Sequence, residues 1–175
     1  MPKNLIKKIC LLGDGEVGKT SLIRKFVYDE FDDKYLMTIG TKITKKTMTI
    51  KSESEEINLT VMINDIVGQV EFERIHRQYY RGSKAGIFVC DLTRPDTLER
   101  MDWWLDSFRK VAGDVPILIL GNKSDLFEQR QITQNDLEKY SAKYNCPYLF
   151  TSAKTGESVE KAFLTVGRFV CTQTS

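Results

Sequence analysis

Apolar and polar positions follow two rhythms in this chain, and the rhythms trade places at short intervals. Leu5 to Leu12 is a largely apolar run, the signature of a strand buried on both faces. From near Lys19 to about Tyr28 the apolar residues Leu22, Ile23, Phe26 and Val27 recur at helical spacing and predict a short amphipathic helix. Asp29 to Gly40 is polar, with aromatics at Phe31 and Tyr35, and reads as a loop. Lys42 to Lys51 is rich in Thr, Ile and Met, while Ile57, Leu59, Val61 and Ile63 alternate with polar neighbours. The acidic turn Ser52 to Glu56 joins these two segments into a hairpin. Lysines 42, 45 and 46 suit a solvated edge strand guarded against further pairing, rather than a nucleic-acid patch.

The second half keeps alternating. Glu71 to Arg81 is charged and aromatic and predicts a helix, and Ala85 to Cys90 predicts a buried strand ending at Asp91. Pro95 opens the next helix, where its missing N–H costs nothing, with Leu98, Met101, Leu105, Phe108 and Ala112 as the inner stripe. Trp104 borders that stripe and Trp103 points away from it, as a partner contact or under a neighbouring element. Ile117 to Leu120 is a further buried strand, Asp136 to Tyr144 a helix and Pro147 to Phe150 a short strand. Gly156 to Val170 is the last helix, with Val159, Ala162, Phe163, Val166 and Phe169 inward. The fold class that follows is α/β, an open sheet covered by helices on both faces in three layers. Ligands of such sheets bind beyond the carboxyl ends of the strands, where Gly13, Asp65, Asn122 and Ser152 all fall.

Composition adds bounds. The 175 residues make one domain, with 171–175 as a short tail. A net charge of +2 implies no wholesale affinity for nucleic acid. Cys10, Cys90, Cys146 and Cys171 have no metal-ligand spacing, which fits a reduced cytoplasmic protein. No signal peptide or membrane-spanning run stands out, Pro2 argues against myristoylation, and Cys171 is one place too early for a prenylation box. The expectation is a cytoplasmic protein with no lipid anchor in this chain, peripheral on membranes if a lipidated tail belongs to the natural protein.

Chemistry enters at Gly13-Asp14-Gly15-Glu16-Val17-Gly18-Lys19-Thr20, which follows the first strand and opens the first helix. That context separates a phosphate-binding loop from a glycine turn that only caps a helix. Gly13, Gly15 and Gly18 let backbone N–H groups curl around a polyphosphate, and the helix start favours the same anion. Lys19 brings a point charge for the β- and γ-phosphates and Thr20 a hydroxyl ligand for Mg²⁺, with Glu16, Val17 and Ser21 completing the cradle. Asn122-Lys123-Ser124-Asp125 follows another strand. The Asp125 carboxylate accepts side by side from N1–H and the 2-amino group of guanine and is repelled by the acceptor N1 of adenine. Asn122 ties this loop to the phosphate loop, the Lys123 stem lies on the ring, and the Ser152-Ala153-Lys154 backbone donates to O6. Asp65 and Thr38 join Thr20 as the metal set, Gly68 offers its N–H to the γ-phosphate, and Gln69 orients an attacking water. The lone His76 reads as solvated or packed rather than catalytic.

Together with Phe31, Thr38-Ile39-Gly40, Tyr79-Tyr80-Arg81-Gly82, Asp91-Leu92-Thr93 and Thr151 to Lys154, these residues resemble the Ras-superfamily small GTPases, nearest the Rab branch. The likeness runs from about Leu5 to Val170. It implies the P-loop NTPase fold, a six-stranded, mostly parallel sheet with one antiparallel edge strand and five helices. It further implies hydrolysis of GTP to GDP and phosphate with Mg²⁺, slow without an activating partner, in a monomer served by exchange factors and effectors. Phe31 would pack on the guanine and Tyr35 lie over the phosphates. Rab-like proteins usually read W-D-T-A-G-Q-E where this chain has Asn64-Asp65-Ile66-Val67-Gly68-Gln69-Val70, and I-G-V-D-F where it has Ile39 to Ile43. Val67 would hinder the rearrangement of Gly68 onto GTP, and Ile43, Asn64 and Tyr79 replace a Phe-Trp-Tyr effector patch, so ordinary Rab effectors should bind poorly. The chain is Rab-like rather than a typical Rab, possible traffic role included. A nucleotide-bound interaction module with little hydrolysis is the alternative, and an ATP-dependent kinase on the same fold the third.

Overall fold

The computed structural model describes residues 1–32 and 41–173. Six strands, β1 (Lys3–Leu12), β2 (Lys42–Lys51), β3 (Glu56–Asp65), β4 (Ala85–Asp91), β5 (Ile117–Asn122) and β6 (Tyr148–Phe150), form one sheet in the order β2-β3-β1-β4-β5-β6. Only β2 and β3 run antiparallel; their hairpin brings Ile50 opposite Ile57 and Lys51 opposite Glu56. Five helical segments cover it: α1 (Lys19–Tyr28), α2 (Glu73–Tyr80), a third broken at Arg100 into α3 (Pro95–Glu99) and α4 (Met101–Ala112), α5 (Gln134–Tyr144) and α6 (Val159–Thr172).

The unbroken apolar runs now have a cause. Along β1, Ile9 and Leu11 face one core while Cys10 and Leu12 face another; Val89 and Phe88 of β4 divide the same way, as do Leu120 and Ile119 of β5. The first core is closed by α1 and α6, where Phe26 stacks on Phe163 at 4.1 Å. The second is closed by α2, α4 and α5 around Tyr80, Trp104 and Phe108. Period-two alternation sends neighbours to opposite faces, and with helices on both sides every residue must be apolar. Parallel pairing carries the carboxyl ends of β1, β3, β4, β5 and β6 to one edge of the sheet, and the connections that leave that edge build the site.

Several boundaries move for local reasons. Helix α5 begins at Gln134, two residues before the expected Asp136, because Thr133 and Asp136 form a reciprocal cap. The Thr133 N–H donates to the Asp136 carboxylate at 2.8 Å and the Asp136 N–H to the Thr133 hydroxyl at 3.2 Å. Helix α6 starts at Val159 rather than Gly156, since Gly156 (φ 86°) and Ser158 (φ 54°) are left-handed and cannot join a right-handed helix. It runs through Thr172, two residues into the stretch expected as a tail. The charged helix expected over 71–81 is a 3₁₀ turn, Val70–Phe72, leading into α2. Trp104 is fully buried rather than bordering, and Trp103 lies half-covered with its ring edge-on to Trp104 at 4.9 Å. His76 is buried against Trp104, with ring centres 5.3 Å apart. All four cysteines are free thiols. Among the described residues no helix is long and apolar enough to cross a membrane.

Candidate functional site

At the carboxyl edge of the sheet lies a cleft of about 400 Å³, within the range typical of small-ligand sites. The β1–α1 turn forms one end. Gly18 caps α1 at φ 102°, and a Cβ there would fall 2.3 Å from Asn122 Nδ2, so only glycine permits both the turn and that neighbour. Asn122 Nδ2 donates to the Val17 carbonyl at 2.9 Å, and Asn122 Oδ1 accepts from the Thr151 hydroxyl at 3.1 Å. One amide therefore locks the phosphate-type loop, β5 and the loop after β6 together.

Lys19 lies on the floor of this end, 6 % exposed. Its ammonium donates to the Gly13 and Asp14 carbonyls, at 2.7 Å each. Burial pulls its pKa down to about 8, opposed by the negative charges of Asp65 and Asp14. The Thr20 hydroxyl donates to the Asp65 carboxylate, joining the start of α1 to the end of β3. Gly68 comes so close that a Cβ would meet Gly15 N at 2.3 Å, and its carbonyl accepts from the Gly15 N–H at 3.0 Å. Gln69 lines the cleft beside it, its buried Oε1 without a hydrogen-bond partner among the described residues.

The far end is built from the loops after β5 and β6. Asp125 lines it, and the Ser152 hydroxyl donates to Asp125 Oδ1 at 2.7 Å, so the carboxylate is aimed by a residue that is itself fully buried. Lys123, at φ 68°, runs along the cleft with its ammonium 2.8 Å from the buried carboxylate of Asp91. The Ser124 hydroxyl donates to Glu157, and Ala153 and Lys154 complete the wall. Phe31 flanks the cleft, 39 % exposed.

Most of the expected site thus converges. Gly15, Glu16, Gly18, Lys19, Thr20, Ser21, Phe31, Gly68, Gln69, Asn122, Lys123, Asp125, Ala153 and Lys154 line one cavity. Gly13, Val17, Asp65 and Ser152 stand behind its surface and act through backbone, carboxylate or hydroxyl contacts. Tyr35 and Thr38 lie outside the described residues. The donor set fits Mg²⁺: a hydroxyl and a carboxylate already share one spot beside Lys19, and this hard ion takes only one or two protein oxygens when phosphates and waters supply the rest. No group of three His, Cys, Asp or Glu that could cage a metal occurs among the described residues, and such a cage is not what a phosphate-bound magnesium needs.

Sequence reasoning missed a set of contacts on the outer face of the loop. Trp104 Nε1 donates to Asp14 Oδ1 at 2.9 Å and Arg100 pairs with the same carboxylate at 3.0 Å. Both terminal guanidinium nitrogens of Arg94 donate to the Gly15 carbonyl at 3.2 Å. The only signal was two acidic residues in a loop meant for anions; nothing local says where their cations are. A family model described as the Ras family matches residues 8–172, nearly the whole chain.

Proposed function

The chain belongs to the Ras family, whose members are GTP-binding switches that hydrolyse GTP under the control of regulators and effectors, and we propose that it is a Rab-like member with slow turnover of its own. One observation supports this above the rest. A carboxylate aimed by Ser152 and a buried ammonium from Lys19 line one cleft, an acceptor for a guanine base and a cation for its polyphosphate in the same cavity.

In this reading Asp125 accepts from N1–H and the 2-amino group while the Ala153-Lys154 backbone donates to O6. The Lys123 stem lies on the ring, its head held by Asp91, and Phe31 packs on the flank. Lys19 and the Gly15 N–H exchange their internal partners for phosphate oxygens, so the loop stays satisfied with and without ligand. Thr20 and Asp65, with Thr38 as the further hydroxyl, would hold Mg²⁺, which would offset the phosphate charge. Gln69 orients the water that adds to the γ-phosphorus as the β–γ bridge breaks, and Gly68 gives up its contact with Gly15 so that its N–H reaches the γ-phosphate. Segments that order only around that phosphate make a switch.

The Rab likeness rests on Gly13 to Thr20, Phe31, Thr38 to Gly40, Asp65 with Gly68 and Gln69, Tyr79 to Gly82, Asp91 to Thr93, Asn122 to Asp125 and Thr151 to Lys154 taken together, and a role in vesicle traffic as a cytoplasmic monomer goes with it. The surface argues for unusual effectors: Ile43 is half exposed, while its register partner Asn64 is buried and donates to the Tyr79 carbonyl at 3.1 Å. A second reading, a nucleotide-bound interaction module with little hydrolysis, is favoured by Val67, only 4 % exposed beside the docked Gly68. Identification of the copurifying nucleotide tests the first reading, with GDP expected and ADP fatal to it. Single-turnover hydrolysis separates the two: wild type should outpace Gln69→Leu, and equal inertness would remove the enzyme label.

A further inference from the structure

The phosphate loop carries two acidic side chains, Asp14 and Glu16, an odd provision for a site that takes a polyanion. Each has its own arginine from the segment that follows β4. Arg100 pairs with Asp14 at 3.0 Å, and Arg94 with Glu16 at 3.7 Å while its two terminal nitrogens hold the Gly15 carbonyl. Glu16 lines the cleft at φ 67°, a backbone conformation that a non-glycine residue adopts at some cost, so its side chain is held close to where phosphates would sit. The Arg94 backbone is anchored on both its N–H and its carbonyl. Its N–H donates to the Asp91 carbonyl at 2.9 Å, and its own carbonyl accepts from the Thr97 hydroxyl at 2.7 Å. Its charge also reaches the cleft: after burial, which dominates, Arg94 is a further influence that depresses the Lys19 ammonium.

We propose that Arg94 is a positioning residue for the nucleotide, pinning the Gly15 carbonyl from outside and offsetting the Glu16 carboxylate so that the loop meets the polyphosphate as a neutralised cradle. The inference rests on the nucleotide reading of the cleft. The Arg94 and Glu16 side chains are 32 % and 55 % exposed, and so open a pair contributes little to folding. Its removal should therefore register in binding. With Arg94 gone, an unpaired negative charge stands beside the phosphates and repels each of theirs.

Equilibrium and release-rate measurements with a fluorescent GDP analogue test this on wild type, Arg94→Gln and the double variant Arg94→Gln/Glu16→Gln. Arg94→Gln keeps donors but no charge, and should weaken binding about tenfold, with a deficit that shrinks as salt rises. The double variant should return to within about threefold of wild type, a rescue that general damage to the loop would not give. Arg94→Gln binding like wild type would overturn both parts of the Arg94 role, a double variant as weak as the single would overturn its offsetting of Glu16, and either result would leave the nucleotide reading standing. Wild type that binds no guanine nucleotide would overturn both.

Discussion

Replacing Asp125 by Asn tests the base assignment without changing the shape of the cleft. Asp125 Oδ1 accepts from the Ser152 hydroxyl at 2.7 Å, which orients the carboxylate before any base arrives. In the amide, that contact retains the carbonyl oxygen, and the NH₂ group then takes the place of the second oxygen. It meets the 2-amino group of guanine donor to donor, while N1–H keeps a neutral acceptor in place of a charged one. Hydrogen bonds to charged groups contribute about 1.5–3 kcal/mol each. Two of them lost or weakened amount to about 3–6 kcal/mol, or roughly 10²–10⁴ in affinity at 1.4 kcal/mol per factor of ten. Xanthine carries a 2-oxo acceptor, which the new NH₂ group satisfies. Titration with fluorescent GTP and XTP analogues, with melting curves to verify folding, should show GTP affinity falling by that factor and XTP affinity rising. Unchanged GTP binding in a folded Asp125→Asn protein would refute the assignment.

Other consequences concern charge and packing. Lys19 is depressed to about 8 without ligand and must be charged to hold phosphate, so GDP affinity should fall as pH rises through about 8. The same group makes the unliganded fold gain stability from about 8 up to 10.5, where the unfolded chain still holds the proton; an affinity flat across that window would contradict the buried ammonium. His76, on the buried face of α2, is held below its ordinary 6.5, mainly by burial. The unfolded chain therefore binds more protons than the folded one at low pH, and stability present above 6.5 should drain away as pH falls, with α2 exchanging its amide hydrogens first. His76→Phe should flatten that slope, and an unaltered slope would assign it to other groups. Val67→Ala removes two buried methyl-sized groups, about 1.6 kcal/mol of stability by melting, yet should raise the hydrolysis rate or the ordered population of the Gly68 segment. No change in either would mean that Val67 is merely accommodated.

The elements were legible because their causes are local or periodic. Unbroken apolar strands announce helices on both faces, and Lys42, Lys45 and Lys46 announce an edge, which β2 is. Boundaries slipped where a cap or a left-handed residue decides: the Thr133–Asp136 box drew α5 forward, and Ser158 held α6 back. The break at Arg100 left no periodic trace, since Trp104 N–H still bonds the Arg100 carbonyl at 3.2 Å and the inner stripe runs on through it. Helical spacing places Trp104 at the border of the stripe because it cannot show that the indole N–H has a buried carboxylate to serve.

For the site, residue order alone determined the ligand chemistry. Glycines, Lys19 and Thr20 at fixed spacing after a strand, and Asn122 to Asp125 after another, specify groups whose chemistry is intrinsic to the residues and whose placement follows from parallel strands ending at one edge. Which groups hold those residues in place was a tertiary decision. Arg94 reaches Gly15 across 79 positions, Trp104 reaches Asp14 across 90, and Ser152 reaches Asp125 across 27. No periodicity spans such intervals. These contacts exist only because the sheet brings the ends of β1, β4, β5 and β6 side by side, within reach of a single guanidinium, indole or hydroxyl.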